Sequence, residues 1–327
     1  MSAYTDSIRL SVAPMMDWTD RHCRVFHRLL APQARLYTEM VHAQAVLFGD
    51  RERLLGYDAR EQPLALQLGG SDAAHLAEAC RIAEQYGYAE INLNVGCPSD
   101  RVQAGRFGAC LMKEPAVVAE CIAAMQQAVR VPVTVKCRLG VDEQEDYGAF
   151  LQFVDTVAAA GCGEFVVHAR KAWLSGLSPK ENREIPPLRY DWVFRLKQER
   201  PDLRIVLNGG LSEVDACLQA LPNVDGVMIG RAAYQDPYRL HRMHAAIFGT
   251  AMQDREQLLL AMQDYVTVQC ASGVALKHIS KCLLGLFHGQ PGGRLFRQVL
   301  SQEAPLPGAG WPVIAKALAA TRFREAP

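Results

Sequence analysis

The sequence predicts an α/β protein: a (β/α)8 TIM barrel followed by a small all-helical C-terminal domain. Three observations predict it. Eight short aliphatic or β-branched runs, each closed by glycine or polar residues, recur through the first three quarters of the 327 residues. Helix-period stretches lie between them. From Gln257 onward the strand-like runs cease and leucine-rich helical stretches take over.

The eight runs cover residues 10–16, 35–40, 64–68, 91–95, 133–138, 165–170, 205–208 and 227–230. The clearest intervening helices span 75–86, 116–129, 147–160 and 190–200. Ser71-Asp72, Glu114-Pro115 and Ser212-Glu213 supply helix-start chemistry. Strands alternating with helices argue for a parallel sheet, because parallel neighbours need a helical crossover. Eight such units in about 240 residues have the length of a closed barrel. An open doubly wound sheet is the competing fold. It would carry a glycine fingerprint after its first strand, where this chain reads Ala13-Pro14-Met15-Met16-Asp17. The tail predicts helices over 258–266, 276–286, 295–300 and 313–322, broken by Gly289-Gln290-Pro291-Gly292-Gly293. The expected organisation is a barrel over residues 1–249 and a helical domain over 250–327, with one large core and a smaller second one.

Lys plus Arg equals Asp plus Glu at 35 each, so the global charge gives no reason to expect a nucleic-acid partner. The distribution is uneven. From Thr250 the basic residues are Arg255, Lys277, Lys281, Arg294, Arg297, Lys316, Arg322 and Arg324. The acidic ones are Asp254, Glu256, Asp264, Glu303 and Glu325, so the tail carries 8 − 5 = +3 and the body −3. No acidic residue interrupts residues 265–302. A basic segment on a slightly acidic body suggests an anionic partner, against the plainer reading of a solvated helix face. Ten cysteines without a C-x-x-C pair indicate neither a disulfide framework nor a zinc site. Neither a signal peptide nor a membrane span is expected, and a reducing cytoplasm fits best. A monomer is the default expectation.

In such a barrel the reactive groups collect at the C-terminal strand ends. Those ends read Pro14-Met15-Met16, Glu39, Gln67, Asn94-Val95-Gly96-Cys97-Pro98, Lys136 with Arg138, His168 with Arg170, Asn208-Gly209-Gly210 and Gly230-Arg231. Nearly all are polar or ionisable, far more than packing requires. The glycines after strands seven and eight, with the fixed charge of Arg231, suit a phosphate group approached by backbone N–H donors. Taken with Gln67, Lys136 and His168, the rim resembles that of FMN-binding barrels. Gln67 would meet the amide-like edge of the ring, and Lys136 the part that becomes anionic on reduction. The plainer readings are a structural ion pair for Lys136 and a core histidine for His168.

The segment Leu93-Asn94-Val95-Gly96-Cys97-Pro98-Ser99 resembles the signature of the tRNA-dihydrouridine synthases. Residues 13–20 and 226–231 are similar to that family's flanking blocks, and the long stretch 168–188 looks like its bacterial class A branch, which acts at positions 20 and 20a of tRNA. The resemblance spans the barrel and is looser over the C-terminal helices. It implies that Pro14, Met15, Met16, Gln67, Lys136, His168, Asn208, Gly209, Gly210, Gly230 and Arg231 hold FMN. It implies further that Cys97 is the proton donor, and that Asn94, Lys180, Arg183, Arg294 and Arg297 face tRNA.

The expected chemistry follows from the uracil ring. Its C5=C6 bond is conjugated to a carbonyl, so hydride adds at C6 and C5 must receive a proton from a nearby general acid. A cysteine with an ordinary pKa of about 8.5 is mostly thiol near neutrality and can donate. Pro98 restricts the backbone of Cys97, whereas Cys110, Cys121, Cys162 and Cys217 fall in helices or loops and Cys137 faces away from Lys136. The competing roles for Cys97 are a buried structural thiol or a nucleophile, for which no partner base stands out. Arg170 or Asn94 is a candidate donor to the carbonyl where the enolate forms. No G-x-G-x-x-G follows a strand, so NADPH is expected as a transient reductant in a ping-pong cycle. The target base must be extruded to reach the ring, with the helical tail, Lys180 and Arg183 holding the rest of the RNA. The alternatives are an FMN barrel reducing a free dihydroorotate- or enoate-type molecule, a non-catalytic tRNA-binding barrel, and an aldolase-type barrel with Lys136 as Schiff-base lysine. Neither DNA nor a membrane is an expected partner.

Overall fold

The structure is a computed structural model that describes residues 6–144 and 146–322. Arg324 and Glu325 of the charge count lie outside the described residues. Eight parallel strands form one sheet: β1 (Leu10–Val12), β2 (Leu36–His42), β3 (Leu64–Gly69), β4 (Glu90–Val95), β5 (Val133–Arg138), β6 (Glu164–His168), β7 (Arg204–Asn208) and β8 (Gly226–Ile229). The spatial order runs β1-β8-β7-β6-β5-β4-β3-β2. Closure is made by a parallel bridge between Ser11 and Arg35, with Val12 N–H donating to Arg35 O at 3.0 Å and Arg35 N–H to Leu10 O at 2.9 Å. The sheet is therefore the expected TIM barrel.

The predicted strands recur within a few residues because a strand buried on both faces reads as an unbroken apolar run. β1 stops at Val12, four residues earlier than expected. Pro14 has no N–H to extend the ladder, and Met15 N–H is taken by Thr19 Oγ1 at 2.9 Å. The helices Ala73–Glu84, Pro115–Ala128, Tyr147–Ala159 and Tyr190–Glu199 stand where periodicity put them. Asp72 caps the first by accepting from His75 N–H, and Pro115 opens the second. The helix Arg21–Leu30, capped by Asp20, fills the gap between β1 and β2 that the sequence left unassigned.

Beyond Gly249, whose φ of +68° ends the helix Pro237–Phe248, the elements are Arg255–Leu260, Gln263–Ala271, Leu276–Ser280, Gly293–Glu303 and Trp311–Thr321. The expected helix over 258–266 is two helices. The periodicity runs on across the break because Leu258, Leu259, Met262, Tyr265 and Val266 are all buried. The expected helix over 276–286 continues past Ser280 as tight turns. In them Leu283 N–H reaches Ser280 O, Leu286 N–H reaches Leu283 O and His288 N–H reaches Gly285 O.

The tail's buried side chains join those around the barrel in one continuous apolar cluster, and the small second cluster is inside the barrel. Gly285 shows how closely the two regions meet. A Cβ there would stand 2.2 Å from Gln235 O. His22 Nδ1 and Tyr265 OH add a 2.7 Å hydrogen bond across the same junction. Among the described residues no helix is long and apolar enough to cross a membrane.

Candidate active site

Side chains alternate along a strand, so Asn92 and Asn94 on β4, and Thr134, Lys136 and Arg138 on β5, share the barrel interior. The parallel register sets Asn94 beside Lys136, Arg138 beside His168 and His168 beside Asn208. The C-terminal ends of these strands open into a cleft of about 1310 Å³. Its walls bring together Pro14, Met15, Met16, Gln67, Asn94, Cys97, Lys136, His168, Arg183, Asn208, Gly209, Gly210, Gly230, Arg231 and Arg297. Lys180 and Arg294 do not line it and are exposed elsewhere on the surface.

The cleft is electropositive although the chain is neutral. Lys136, Arg138, Arg183, Arg231, Arg239, Lys281 and Arg297 line it, against Asp236 as the acidic side chain, and Asp236 is paired with Arg239 at 3.0 Å. Lys136 Nζ donates to Asn208 Oδ1 at 3.2 Å, and Asn208 is held by donating to Met228 O at 2.8 Å. Burial pushes the Lys136 ammonium down to about 8, with Arg138 adding to the shift. His168 is held well below the usual imidazole range by burial, then by Arg138 and Lys136, so it is neutral near pH 7. The glycine turn beyond β7 is required sterically. A Cβ on Gly209, whose φ is +108°, would stand 2.6 Å from His168 Cδ2.

The Cys97 loop is tied down on several sides. Asn94 Oδ1 accepts from Gly96 N–H at 3.1 Å and from Cys97 N–H at 3.0 Å. Ala109 N–H donates to Cys97 O at 2.9 Å. Cys97 Sγ lies 3.5 Å from Ser99 Oγ. All ten cysteines are free thiols, and among the described residues Cys97 is the one that reaches the cleft.

Arg138, named as a strand end but given no role by the sequence, is the tether between two loops. Its Nε donates to Gly96 O at 2.8 Å, and its Nη1 to Lys171 O at 3.1 Å and Asn182 O at 3.0 Å. Asn182 is itself fully buried. It donates to Trp173 O at 2.9 Å and accepts from Trp173 N–H at 2.7 Å.

Arg170 stands apart from the cleft wall. It does not line the cleft; its Nη1 donates to Glu184 O at 3.2 Å and to Pro186 O. These bonds tie the long loop after β6, and the buried Nε of Arg170 has no hydrogen-bond partner among the described residues. Arg231 is paired with Glu184, a contact between the same loop and the start of the helix Arg231–Gln235. The sequence also gave no sign that Trp18 and Tyr234 stack, 4.4 Å apart and 13° from parallel, on the cleft wall beside Lys281 and His288. Residues so far apart in the chain carry no joint signal. Among the described residues no cluster of His, Cys, Asp or Glu is arranged to hold a metal ion.

Comparison with known proteins adds the family. A model described as dihydrouridine synthase matches residues 11–312. A Xanthomonas campestris pv. campestris protein named tRNA-dihydrouridine(20/20a) synthase is 67% identical over 316 residues, covering 97% of this chain and 94% of its own. A protein of the same name from Vibrio cholerae serotype O1 is 52% identical over 324 residues, covering 98% and 99%. Among solved structures, morphinone reductase superposes with a TM-score of 0.53 at 11% identity, over 76% of this chain and 87% of that one. A 2-naphthoyl-CoA reductase complex gives 0.57 at 11%, over 74% and 50%. These two likenesses concern the fold.

Proposed function

The chain belongs to the dihydrouridine synthase family, and from that premise we propose that it reduces uridine to dihydrouridine in the D-loop of tRNA, at positions 20 and 20a. The observation that carries the reading is that Cys97, alone among the described cysteines, shares a basic cleft with Lys136, Gln67 and the glycine turns after β7 and β8. A cleft of this size and charge fits a flavin, taken here as FMN. The open ground at Gly230, where an added Cβ would meet nothing nearer than 3.8 Å, and the Arg231 guanidinium suit its phosphate. Pro14, Met15, Met16 and Gly210 wall the same space. A flavin bound there would supply the hydride, drawn from NADPH, for C6 of the uracil.

The chain's own part is positioning and proton supply. Gln67 and Lys136 orient the ring system. Lys136 keeps its charge at neutral pH and offsets negative charge that develops beside it. The Cys97 thiol protonates C5 as the enolate collapses. Its thiolate recovers a proton from solvent through the open mouth of the cleft. Asn94 acts through the Cys97 loop, because its amide oxygen is committed to that loop. Arg183 and Arg297 on the cleft wall, with Lys180 and Arg294 outside it, take the tRNA backbone, with residues 250–327 serving as the tRNA-binding domain beside a catalytic barrel of residues 1–249. Ten unpaired thiols suit a reducing cytoplasm.

The test is a map of dihydrouridine in tRNA from cells lacking the gene. Restoration at these positions by the wild-type copy and not by Cys97→Ala is the expected result. Unchanged dihydrouridine in the deletion would refute the assignment. Lys136 also lies where a Schiff-base lysine would, but its partner is Asn208 rather than a carboxylate relay. Borohydride trapping of a carbonyl substrate on Lys136 would revive that reading.

A further inference from the structure

A single file of hydrogen bonds runs through the barrel from the Cys97 loop to the floor. Cys97 N–H donates to Asn94 Oδ1 at 3.0 Å. Asn94 Nδ2 donates to Gln67 Oε1 at 2.8 Å, and Gln67 Nε2 to Asn92 Oδ1 at 2.9 Å. Asn92 Nδ2 donates to Thr134 Oγ1 at 2.7 Å, and the Thr134 hydroxyl donates to Glu90 Oε1. Every donor points toward the floor. There Glu90 meets Arg35 at 2.8 Å and accepts from Tyr37 OH at 3.1 Å. Gln67 and Thr134 are 1% exposed, and Asn92 and Glu90 are fully buried.

The polarity follows from one end. Glu90, paired with a guanidinium, only accepts. Thr134 must therefore give its single hydroxyl proton downward, and its oxygen receives from above. That forces Asn92 to turn its NH2 down and its carbonyl up. Gln67 must do the same, and so must Asn94, whose carbonyl then faces the loop amides. A flipped amide anywhere in the file would set donor against donor in a buried space, where an unmade bond is costly. Gln67 is left with one N–H and one lone pair for a ligand, in a sense dictated some way below it.

We propose that Asn92, Thr134 and Glu90, none of which touches the cleft, are positioning residues: through this file they fix the amide sense of Gln67 and the seating of the Cys97 loop. The catalytic consequence rests on the function proposed above, whereas the seating of the loop does not.

Thr134→Val keeps the shape and deletes both links, and Thr134→Ser keeps the hydroxyl. The readout is the rate of alkylation of each cysteine in the purified holoenzyme by iodoacetamide, resolved by peptide mass spectrometry. Cys270, half-buried at a distance from the file, is the internal control. Thr134→Val is expected to speed alkylation of Cys97 about tenfold, within the worth of the two buried hydrogen bonds it deletes, with Cys270 unchanged. Thr134→Ser is expected to match wild type. In parallel, kcat for tRNA reduction should fall about tenfold in Thr134→Val while KM for tRNA holds. Unchanged alkylation of Cys97 in Thr134→Val would overturn the proposal, and so would equal acceleration of Cys97 and Cys270, which marks general loosening. If Thr134→Val does not fold, hydrogen exchange in the wild type decides. Gly96 and Cys97 amides protected to the level of the β4 amides support the file, and exchange at the rate of exposed loops refutes it. A wild-type enzyme inactive on tRNA would instead refute the proposed function and leave the alkylation result standing.

Discussion

The two ends of the barrel interior handle charge in opposite ways. At the floor, one guanidinium is enclosed by two carboxylates: Arg35 meets Glu90 at 2.8 Å and Glu164 at 2.5 Å, with all three side chains buried. At the rim, Lys136, Arg138, Arg183, Arg231 and Arg297 gather around open space. The floor's cation is enclosed by carboxylates of the fold, whereas at the rim Arg231 is paired with Glu184 and, among the described residues, Lys136, Arg183 and Arg297 make no ion pair. An arrangement complete without a partner stabilises structure, whereas one left cationic at the mouth of a concave site is arranged for binding.

The comparison is broken most severely at the floor. Arg35→Met strands Glu90 and Glu164 without their cation, and removing one member of a buried pair costs about 3–5 kcal/mol. Urea denaturation should show a loss of that order, with every probe affected alike. Lys136→Met at the rim should do the reverse. It removes a buried ammonium, so the urea midpoint of the flavin-free protein should hold or rise, while affinity for FMN falls about 10–100-fold, as for a lost charge-assisted contact. Calorimetric titration with FMN measures it.

The pH dependence sharpens the same contrast. Burial pushes Lys136 down to about 8, so between about pH 8 and 10.5 the unfolded chain holds the proton that the folded chain has released. Through that window Lys136 makes the flavin-free fold more stable as pH rises, and FMN binding weaker. Lys136→Arg keeps its charge and should remove the fall in affinity near pH 8. Buried His27 is pushed down to about 4. The unfolded chain therefore binds the extra proton below about 6.5, and the fold should lose stability as pH falls from there toward 4.

Smaller effects lie at the cleft margin. Glu184 is paired with the Arg231 guanidinium, so Glu184→Ala should tighten FMN binding by a few-fold, about the worth of an exposed pair. Arg231→Ala should weaken it. Arg297→Ala should weaken tRNA binding most at low salt, and reduce the slope of log affinity against log salt by about 1 if it neutralises one phosphate.

The eight strands were legible because a parallel sheet buried on both faces writes itself as apolar runs, and the strand-end rule then collected most of the cleft from one sequence. What stayed illegible depends on where long side chains end. Lys136 and Arg138 both lie on β5 facing inward, yet one points to Asn208 and the other bridges Gly96 to Asn182. Arg170 follows β6 just as Arg138 ends β5, but its Nη1 donates to loop carbonyls and it does not line the cleft. Asn92 and Thr134 read as interior strand residues and gave no hint of the file they complete. The tail's short helices were blurred because both sides of each break are buried in the same core.

Direct judgement on the central claim comes from a single turnover. Enzyme carrying reduced flavin is mixed with tRNA lacking dihydrouridine, and flavin reoxidation is followed in parallel with dihydrouridine formed. Wild-type protein should convert uridine as the flavin reoxidises. Cys97→Ala should slow both by at least about 10²-fold, the contribution of a general acid, with the melting temperature and flavin content unchanged. Dihydrouridine formed by Cys97→Ala at the wild-type rate would contradict the account.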